Sequence, residues 1–436
     1  MKILLLGSGG REHAFAMKIA QSPKLTKLYI APGNAGTAQC GENVNMGVLD
    51  FDAIFDFCIQ NKIDLVVPGS EDPLVAGIYD YFQEKANNGA PKILVSGPSA
   101  FAAQLEGSKD FSKAFMQRHG IPTAGAFTAN KDNLEQGLAY LRSLPAPYVL
   151  KADGLAAGKG VIITESLAEA EATLSEMILG RTFGAASEKV LIEEFLKGIE
   201  ISVFAVCDGK NWKMLASAKD YKRIGEGDTG PNTGGMGAIS PVPFADEVFL
   251  NKVANQVAKP TFEGLAAEGH PFKGFLFIGL MNDNGDPKVI EFNVRMGDPE
   301  TEAIFPRLKT DMVDLLTAIA SDGIETLPIE LDNRTAATVF LVSKGYPGTI
   351  EKGKKMHIPM VEADCTLFHA GTALNPLNEV VTNGGRVLAI TALGNGIEQA
   401  KNSAMKMAEL IDYEGKTYRT DIGLDLINYQ KNQTNG

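Results

Sequence analysis

The segment Lys151-Ala-Asp-Gly-Leu-Ala-Ala-Gly-Lys-Gly-Val161 joins two apolar stretches through a glycine-rich turn that carries a second lysine. Lys151 ends the first stretch, so its ammonium group can reach a phosphate while its aliphatic part packs on a sheet. The alternative is a lysine that merely extends into solvent at a strand end. Gly158, Lys159 and Gly160 lie in the turn, and such a turn between two strands is typical of a flap that closes over a ligand. The segment therefore predicts a phosphate site beneath a mobile lid.

The spacing of this turn excludes the common phosphate-binding loop. A P-loop has four residues between its glycines and then Lys-Ser or Lys-Thr. Here Gly154 and Gly158 enclose three residues, and Lys159 is followed by Gly160. The turn therefore cannot wrap a phosphate in the manner of a P-loop.

The N-terminal glycine loop is a near miss of a different kind. Gly7-Ser-Gly-Gly10 follows the predicted strand Lys2 to Leu6 and begins like a dinucleotide-binding fingerprint. However, Glu12 replaces the third small residue, and Tyr29 to Asn34 offers no ribose-binding carboxylate. The loop is therefore predicted to hold a phosphate or sugar phosphate at a helix N-terminus. Its candidate substrate contacts are Gly9, Gly10, Arg11, Glu12, His13 and Asn34.

Glu193-Glu-Phe-Leu196 ends another apolar run and is followed by Glu200 across a Lys-Gly turn. The backbone of this segment is predicted to be free to pair with the edge of an adenine. Phe195 and Leu196 would form walls, although both could instead be core residues. Glu200 is placed to accept hydrogen bonds from two sugar hydroxyls, although a solvated turn carboxylate has the same spacing. With the lysines, these segments predict an ATP site formed by Glu193, Glu194, Phe195, Leu196 and Glu200.

Glu291 and Asn293 lie two residues apart on a predicted strand, so they point to the same face. A carboxylate and an amide oxygen suit Mg²⁺ (or Mn²⁺), because Mg²⁺ takes few protein ligands and keeps phosphate oxygens and water for the rest. Arg295 is next on that face and can grip a phosphoryl oxygen with two hydrogen bonds. The alternative is a structural cluster of ion pairs. Three polar groups on one face of an apolar strand favour the functional interpretation.

Three further groups complete the predicted site. Lys109, in the first turn of a helix, is a second candidate phosphate ligand, although alone it is an ordinary solvated charge. The glycine-rich stretch from Asp220 to Gly237 is predicted to lack regular structure and to offer its backbone and Asn232 to a substrate; a plain surface loop is the alternative. Asp220 and Asp298 are the candidate proton acceptors.

The chain of 436 residues is too long for a single core. Residues 1–105 alternate apolar runs with helical stretches, which predicts a parallel sheet of βαβ units. Residues 106–327 change to antiparallel strands, with a lid subdomain at about 123–196. Residues 328–436 are predicted to form a small α/β covering domain with a polar tail that frays from Asn428. The predicted fold class is thus a multidomain mixture of α/β and α+β.

Charge and cysteine content narrow the class of protein. The formal net charge of −12 disfavours nucleic acid and anionic membranes as partners, because the long-range field repels polyanions. The four cysteines are scattered, with no C-x-x-C pair, which fits reduced thiols and a cytoplasmic location. No apolar run approaches the length of a membrane span. The sequence is compatible with a monomer or a small homo-oligomer.

Five motifs occur together in an order that resembles one family. They are Gly7-Ser-Gly-Gly-Arg-Glu-His-Ala14, Ala31-Pro-Gly-Asn-Ala-Gly36, Lys151 to Val161, Gly230-Pro-Asn-Thr-Gly-Gly-Met-Gly237 and Glu291 to Thr301. The chain resembles the ATP-grasp superfamily and, within it, the phosphoribosylamine–glycine ligases. The resemblance covers the whole chain and implies a central ATP-grasp fold.

The resemblance implies an enzyme of purine biosynthesis that joins glycine to 5-phosphoribosylamine through glycyl phosphate and converts ATP to ADP and phosphate. It places Lys109 and Lys151 on the phosphates and Glu200 on the ribose. It also places Glu193 and Leu196 on the adenine, and Glu291 and Asn293 on magnesium.

Three positions depart from the family pattern. Glu302 stands where the family commonly has Gln, the loop Pro68 to Pro73 differs from the commoner Gly-Pro-Glu form, and Gly279 falls where many ATP-grasp enzymes have another acid. Two alternatives to this function are another ATP-grasp carboxylate–amine ligase or carboxylase, and a nucleotide-binding regulator without catalysis. The intact set of Glu291, Asn293 and Arg295 disfavours the regulator.

Overall fold

The computed structural model describes residues 1–154, 160–180 and 188–434. Across these ranges, no helix combines the length and apolar character needed to cross a membrane. Short 3-10 turns at Thr37–Gln39 and Phe305–Arg307 and a π-helical turn at Ala254–Ala258 supplement the elements given below.

The N-terminal unit is a five-stranded sheet with the order β3-β2-β1-β4-β5, and all neighbouring strands are parallel. The strand order reverses around β1, so the loops that follow β1, β2 and β4 meet at one edge of the sheet. The predicted parallel sheet is confirmed. Its elements are β1 (Lys2–Gly7), α1 (Gly10–Ala20), β2 (Lys27–Pro32), β3 (Glu42–Asn43), α2 (Phe51–Asn61), β4 (Leu65–Pro68), α3 (Glu71–Val75), α4 (Ile78–Asn87), β5 (Leu94–Val95) and α5 (Ala100–Gly107).

A second, four-stranded sheet lies within the segment predicted to be the lid, and it is called the lid sheet below. It is antiparallel with the order β6-β9-β7-β8 and has its own core, which includes Leu150, Leu174 and Ile192. Because this core is separate from the main one, the lid can be treated as a unit of its own. Helix α6 (Lys109–Arg118) leads into it, and its elements are β6 (Ala126–Ala129), α7 (Leu134–Ser143), β7 (Tyr148–Ala152), β8 (Val161–Thr164), α8 (Leu167–Gly180) and β9 (Val190–Glu193).

The remaining strands build a nine-stranded sheet with the order β16-β15-β10-β11-β14-β17-β22-β19, in which β24 also pairs with β17. The central segment contributes the first five strands of this sheet, and its hairpin of β12 and β13 lies outside the sheet. The elements of this segment are β10 (Ile199–Asp208), β11 (Trp212–Asp220), β12 (Arg223–Gly225), β13 (Thr229–Asn232), β14 (Gly237–Ser240), α9 (Glu247–Val253), α10 (Lys259–Ala267), β15 (Lys273–Asp283), β16 (Asp286–Asn293), α11 (Glu300–Ile304) and α12 (Met312–Ala320).

The C-terminal segment completes this sheet. Its elements are β17 (Thr335–Ser343), β18 (Met356–His357), β19 (Cys365–His369), β20 (Thr372–Leu374), β21 (Val380–Thr382), β22 (Arg386–Gly394), α13 (Ile397–Leu410), β23 (Asp412–Tyr413), β24 (Lys416–Thr417) and α14 (Leu424–Thr434). The pairing of β14 with β17 makes the C-terminal strands continuous with the central ones. The C-terminal unit is therefore anchored by backbone hydrogen bonds as well as by packing.

Two local predictions are wrong. The stretch from Asp220 to Gly237 is not irregular, because it contains the hairpin of β12 and β13. The tail does not fray at Asn428, because α14 continues to Thr434. Leu426 and Ile427 are buried, so the apolar face of this helix anchors a segment whose overall composition is polar.

Candidate active site

A cleft lies between the lid sheet and the nine-stranded sheet. Lys151 on β7 and Glu193 on β9 line it from the lid, while Glu291 and Asn293 line it from β16. Its cavity volume is about 190 Å³. The structure thus brings together seven of the predicted residues, which are Lys109, Lys151, Gly160, Glu193, Glu291, Asn293 and Arg295.

Glu193 forms the centre of a buried ion-pair group. Its Oε2 lies 2.5 Å from Nζ of Lys151 and its Oε1 lies 2.8 Å from Nζ of Lys113. Burial alone would raise the pKa of Glu193, but the two ammonium groups outweigh it and hold that pKa below its usual range. Lys113, which the sequence did not single out, also donates to the Thr123 hydroxyl at 2.7 Å. The three side chains therefore carry one net positive charge against the floor of the cleft.

Lys109 links helix α6 to the start of the glycine-rich turn through a side-chain hydrogen bond. It is the first residue of α6, and its Nζ donates to the Gly154 carbonyl at 2.9 Å. The Ser108 hydroxyl accepts from the Phe111 amide as the N-cap and contacts the Asp153 carboxylate. Burial lowers the pKa of Lys109, and the Glu291 carboxylate opposes that shift. Lys109 is thus poised at the cleft, not on open surface as its alternative interpretation required.

Arg295 fits both interpretations of its strand, the phosphate-binding one and the structural cluster of ion pairs. It lines the cleft, and it also pairs with Glu106 at 2.8 Å and with Glu71 at 3.2 Å. Glu106 is buried and accepts from the Val294 amide at 2.8 Å, so this part of the cluster is structural. The ion pairs fix the guanidinium at the edge of the cleft without removing it from the ligand space.

A smaller cavity adjoins the cleft through Glu291. It is lined by Glu200, Asp220 and Lys222, with Lys222 3.0 Å from the Glu200 carboxylate. Lys222 holds the pKa of Glu200 below its usual range, whereas burial raises the pKa of Asp220. Glu200, the predicted sugar-binding carboxylate, therefore lies next to the strand that is predicted to bind the metal, although Glu200 already forms an ion pair with Lys222.

A third cavity lies at the edge of the N-terminal sheet and is hereafter called the cradle. It is shared by three parts of the chain: the loops after β1 and β2, the residues before α11, and the C-terminal unit. Arg386 reaches into it from β22 and pairs with Asp298 at 3.0 Å. Its lining residues are Ser8, Gly9, Gly10, Gly33, Asn34, Asp298, Tyr346, Ala370, Gly371, Thr372, Asn383 and Arg386.

Family models match most of the chain. They describe the N domain of phosphoribosylglycinamide synthetase over residues 1–106, its ATP-grasp domain over 107–301 and its C domain over 336–425. The phosphoribosylamine–glycine ligase of Salmonella typhimurium is 46% identical over 437 residues, which cover 99% of this chain and 100% of that protein. The chain belongs to the phosphoribosylamine–glycine ligase family. The family and the enzyme class predicted from the sequence, an ATP-grasp ligase that forms a C–N bond, are confirmed.

Other relatives agree with this membership. The phosphoribosylamine–glycine ligase of Vibrio parahaemolyticus is 47% identical, covering 97% of this chain and 98% of that protein. The crystal structure of the ligase from Thermotoga maritima superposes with a TM-score of 0.84 at 36% identity, covering 97% of this chain and 100% of that one. A biotin carboxylase from Campylobacter jejuni shares the fold alone, with a TM-score of 0.74 at 17% identity over 98% of this chain and 96% of that one. The predicted fold class is confirmed.

Of the segment Glu193 to Leu196, which is predicted to bind adenine, only Glu193 lines the cleft. Glu194, Phe195 and Leu196 do not line it, and the Glu194 amide donates to the Gly125 carbonyl at 2.9 Å. That amide is therefore not free, contrary to the prediction, because the pairing of β9 with β6 continues past the end of the strand. The predicted contacts Gly158 and Lys159 lie outside the described residues.

Three of the predicted substrate contacts, Arg11, Glu12 and His13, do not line the cradle. Glu12 accepts from the Gly9 amide at 2.6 Å and from Arg11 Nε at 2.7 Å, so this carboxylate already caps the helix. His13 Nδ1 accepts from the His369 amide at 2.7 Å, and burial, together with His369, lowers the pKa of His13 to about 3. A neutral imidazole cannot supply positive charge to a phosphate. Arg11, Glu12 and His13 are thus engaged in contacts within the protein, and their contact with substrate stays a prediction.

The two predicted asparagines also differ from expectation. Asn34 lines the cradle, but its amide donates to the His369 carbonyl at 2.8 Å and its carbonyl accepts from the Gly36 amide at 2.8 Å. It therefore organises the loops more than it offers free groups. Asn232 is exposed on the β13 hairpin and does not line any of the three cavities.

The oxygen donors suit a divalent cation. Within the described ranges, no group of three or more histidine, cysteine, aspartate or glutamate side chains is arranged to hold a metal. Glu291 and Asn293 nevertheless present a carboxylate and an amide oxygen to one cleft, beside Lys109 and Lys151. Mg²⁺ is commonly held by one or two protein oxygens together with phosphate oxygens and water. The residues therefore fit a cation that arrives with a nucleotide.

Proposed function

We propose that the protein joins glycine to 5-phosphoribosylamine through glycyl phosphate, with ATP converted to ADP and phosphate. One observation carries the proposal beyond family membership: a single short segment serves two cavities. Glu291, Asn293 and Arg295 line the cleft, and Asp298 lines the cradle a few residues later. A phosphoryl group in the cleft and an amine in the cradle would therefore be held by one rigid piece of backbone.

The cleft supports the first step, which activates glycine. An oxygen of the glycine carboxylate attacks the terminal phosphorus of ATP, and the bond from that phosphorus to the oxygen of ADP breaks. Lys109, Lys151 and Arg295 offset the charge that spreads over the phosphoryl oxygens. Mg²⁺ or Mn²⁺ held by Glu291 and Asn293 would supply further positive charge to those oxygens.

The cradle supports the second step, which forms the amide. The amine nitrogen attacks the acyl carbon of glycyl phosphate, inorganic phosphate leaves, and the nitrogen loses a proton. Arg386 binds the phosphate of the sugar, since its guanidinium is a charged donor in a cavity lined by three glycine-containing loops. Asp298 accepts the proton, because it shares the cradle with the amine. Asp220, in the cavity beside Glu291, is the alternative acceptor.

The lid keeps water from the acyl phosphate. Lys151 belongs to the lid sheet, so its contact with ligand phosphates would draw the lid onto the cleft. We also place the enzyme in the cytoplasm, because Cys40, Cys58, Cys207 and Cys365 are all free thiols and three of them are buried.

Phosphate release tests the proposal directly. The assay contains ATP, magnesium, glycine and freshly prepared phosphoribosylamine, and each component is omitted in turn. We expect sustained release only with the complete set, and formation of glycinamide ribonucleotide in equal amount. Release that requires bicarbonate, or another amino acid in place of glycine, would assign a different ATP-grasp reaction. Nucleotide binding with no release under any condition would assign a regulator.

Matched variants test the proton acceptor. Asp298→Asn and Asp220→Asn each remove one carboxylate while keeping side-chain volume. We expect Asp298→Asn to suppress amide formation while leaving ATP binding, measured by calorimetry, within about twofold of wild type. If Asp220→Asn alone abolishes amide formation, the acceptor lies in the cavity beside Glu291.

A further inference from the structure

Glu302 on α11 is the most unusual buried acid of the described residues. It is completely buried, and neither of its carboxyl oxygens has a hydrogen-bond donor. Its backbone is fixed, because the Thr391 hydroxyl donates to the Glu302 carbonyl at 2.8 Å. An ionised carboxylate with two bare oxygens would be among the costliest groups to bury.

The surroundings of Glu302 connect it to the cradle. A Cβ atom built on Gly10 would lie 2.3 Å from Oε1 of Glu302, so the carboxyl group packs directly on the first turn of α1. The Asp298 carboxylate borders the same turn, because a Cβ atom built on the neighbouring Gly9 would lie 3.4 Å from its Oδ2. The charged groups acting on Glu302 are Asp298 and, from β22, Arg386.

These contacts favour the neutral acid. The Arg386 guanidinium is already held by Asp298 at 3.0 Å and by the Asp298 and Gly234 carbonyls. Burial, and then the charge of Asp298, raise the pKa of Glu302 well above its usual range, and Arg386 offsets only part of that shift. Two carboxyl groups placed this close can share one proton but cannot easily both ionise.

We propose that Glu302 keeps its proton in the folded protein and donates it in a hydrogen bond to Asp298. The bond fixes the orientation of Asp298, which remains ionised to pair with Arg386 and to accept the proton of the amine. Glu302 is thus a positioning residue: it acts through Asp298 and does not touch substrate. The role of Asp298 rests on the proposed function, whereas the protonation of Glu302 does not.

The first test needs no substrate. Urea unfolding of wild type and Glu302→Gln is measured from pH 5 to pH 9, chosen to begin just above the ordinary pKa of 4.5. The unfolded chain ionises at this group while the folded protein must keep the proton, so wild-type stability falls as pH rises. The ratio of the wild-type to the variant unfolding constant should grow by up to about tenfold per pH unit until the folded pKa is reached. A ratio that does not change with pH would show that Glu302 is ionised when folded and would overturn the proposal.

The second test compares Glu302→Gln with Glu302→Met in the phosphate-release assay. The glutamine amide can replace the carboxyl as a donor, so kcat and the acid limb of its pH profile should match wild type. Methionine has similar volume but no donor, so the ionised form of Asp298 would lose a stabilising hydrogen bond. The acid limb of Glu302→Met should therefore move to higher pH.

The pH profiles of the two variants test both the protonation of Glu302 and its hydrogen bond to Asp298. An acid limb that moves to lower pH in Glu302→Gln would show that a negative charge had been removed, which contradicts a neutral Glu302. Equal profiles for Glu302→Gln and Glu302→Met would contradict the hydrogen bond. If the complete assay shows no glycine-dependent release in wild type, the proposed function fails, yet the unfolding experiment still decides the protonation of Glu302.

Discussion

The cleft and the cradle were both predicted from short glycine-containing or charged motifs, but the predicted side chains agree with the observed lining residues much better in the cleft than in the cradle. Every side chain predicted from the strand that carries Glu291 faces the cleft, as does Lys151 on its own strand. In the cradle, by contrast, the predicted residues Glu12 and His13 make contacts within the protein and do not line the cavity. Arg386, which does line it, comes from the C-terminal part of the chain and was not predicted. The pleat of a strand fixes the direction of alternate side chains, whereas in a loop or a first helical turn that direction depends on which segment packs against it.

Removing the central carboxylate of the cleft should have the largest effect. Glu193→Gln leaves Lys113 and Lys151 buried beside a neutral amide, which should cost about 3–5 kcal/mol of unfolding free energy at neutral pH. Because the pKa of Glu193 is depressed, the wild-type advantage is complete above its ordinary value of 4.5 and is lost as pH falls through the folded pKa. Urea unfolding against pH measures both. Glu194→Gln, which changes the exposed neighbour, is the control. Equal losses of unfolding free energy in the two variants would mean that the buried ion pairs of Glu193 do not stabilise the fold.

A metal-binding variant tests the cleft as a catalytic site. Glu291→Gln removes a negative ligand while keeping volume, and should lower kcat by roughly 100-fold or more, about 3 kcal/mol of transition-state stabilisation. Raising the magnesium concentration should recover part of the loss. Lys288→Gln, on the same strand but in a half-buried pair with Asp283 that does not line the cleft, should leave kcat unchanged. An unaffected kcat in Glu291→Gln would remove this strand from the mechanism.

The cradle can be separated from the cleft by Arg386→Ala. Loss of a charged donor to the sugar phosphate should cost about 1.5–3 kcal/mol and raise KM for phosphoribosylamine roughly 10- to 150-fold. The KM for ATP should stay the same, because Arg386 does not line the cleft. Arg334→Ala removes an exposed arginine of the C-terminal segment and serves as the control. A rise in KM for ATP alone would reverse the assignment of the two cavities.

The smallest expected effect concerns the close packing of the cradle. Gly10→Ala places a methyl group against Glu302, which should cost about 1–3 kcal/mol through overpacking. Gly47→Ala has no atom within 4 Å of the added carbon and should change the melting temperature little. Thermal unfolding of the two variants measures the difference. If both variants unfold at the wild-type temperature, the contact between α1 and α11 is looser than described.

Prediction from sequence succeeded where a residue's surroundings are set by its own strand. The spacing of Glu291, Asn293 and Arg295 gave their common face, and the strand-ending position of Lys151 placed its ammonium at the cleft. It failed for the stretch from Asp220 to Gly237, whose hairpin is held by pairing between β12 and β13 that glycine content obscures. Lys113 could have been found, since it follows Lys109 by one helical turn on the same face.

The sequence was enough to predict the family, the parallel N-terminal sheet and the strand that carries the oxygen donors, because these depend on local periodicity and on short contiguous motifs. The folded chain was needed to show that Glu12 caps its own helix, that Arg295 is held by Glu71 and Glu106, and that Arg386 completes the cradle. These features depend on charges far apart in the chain that meet in a dry interior, where an unpaired charge is costly and each must find a partner.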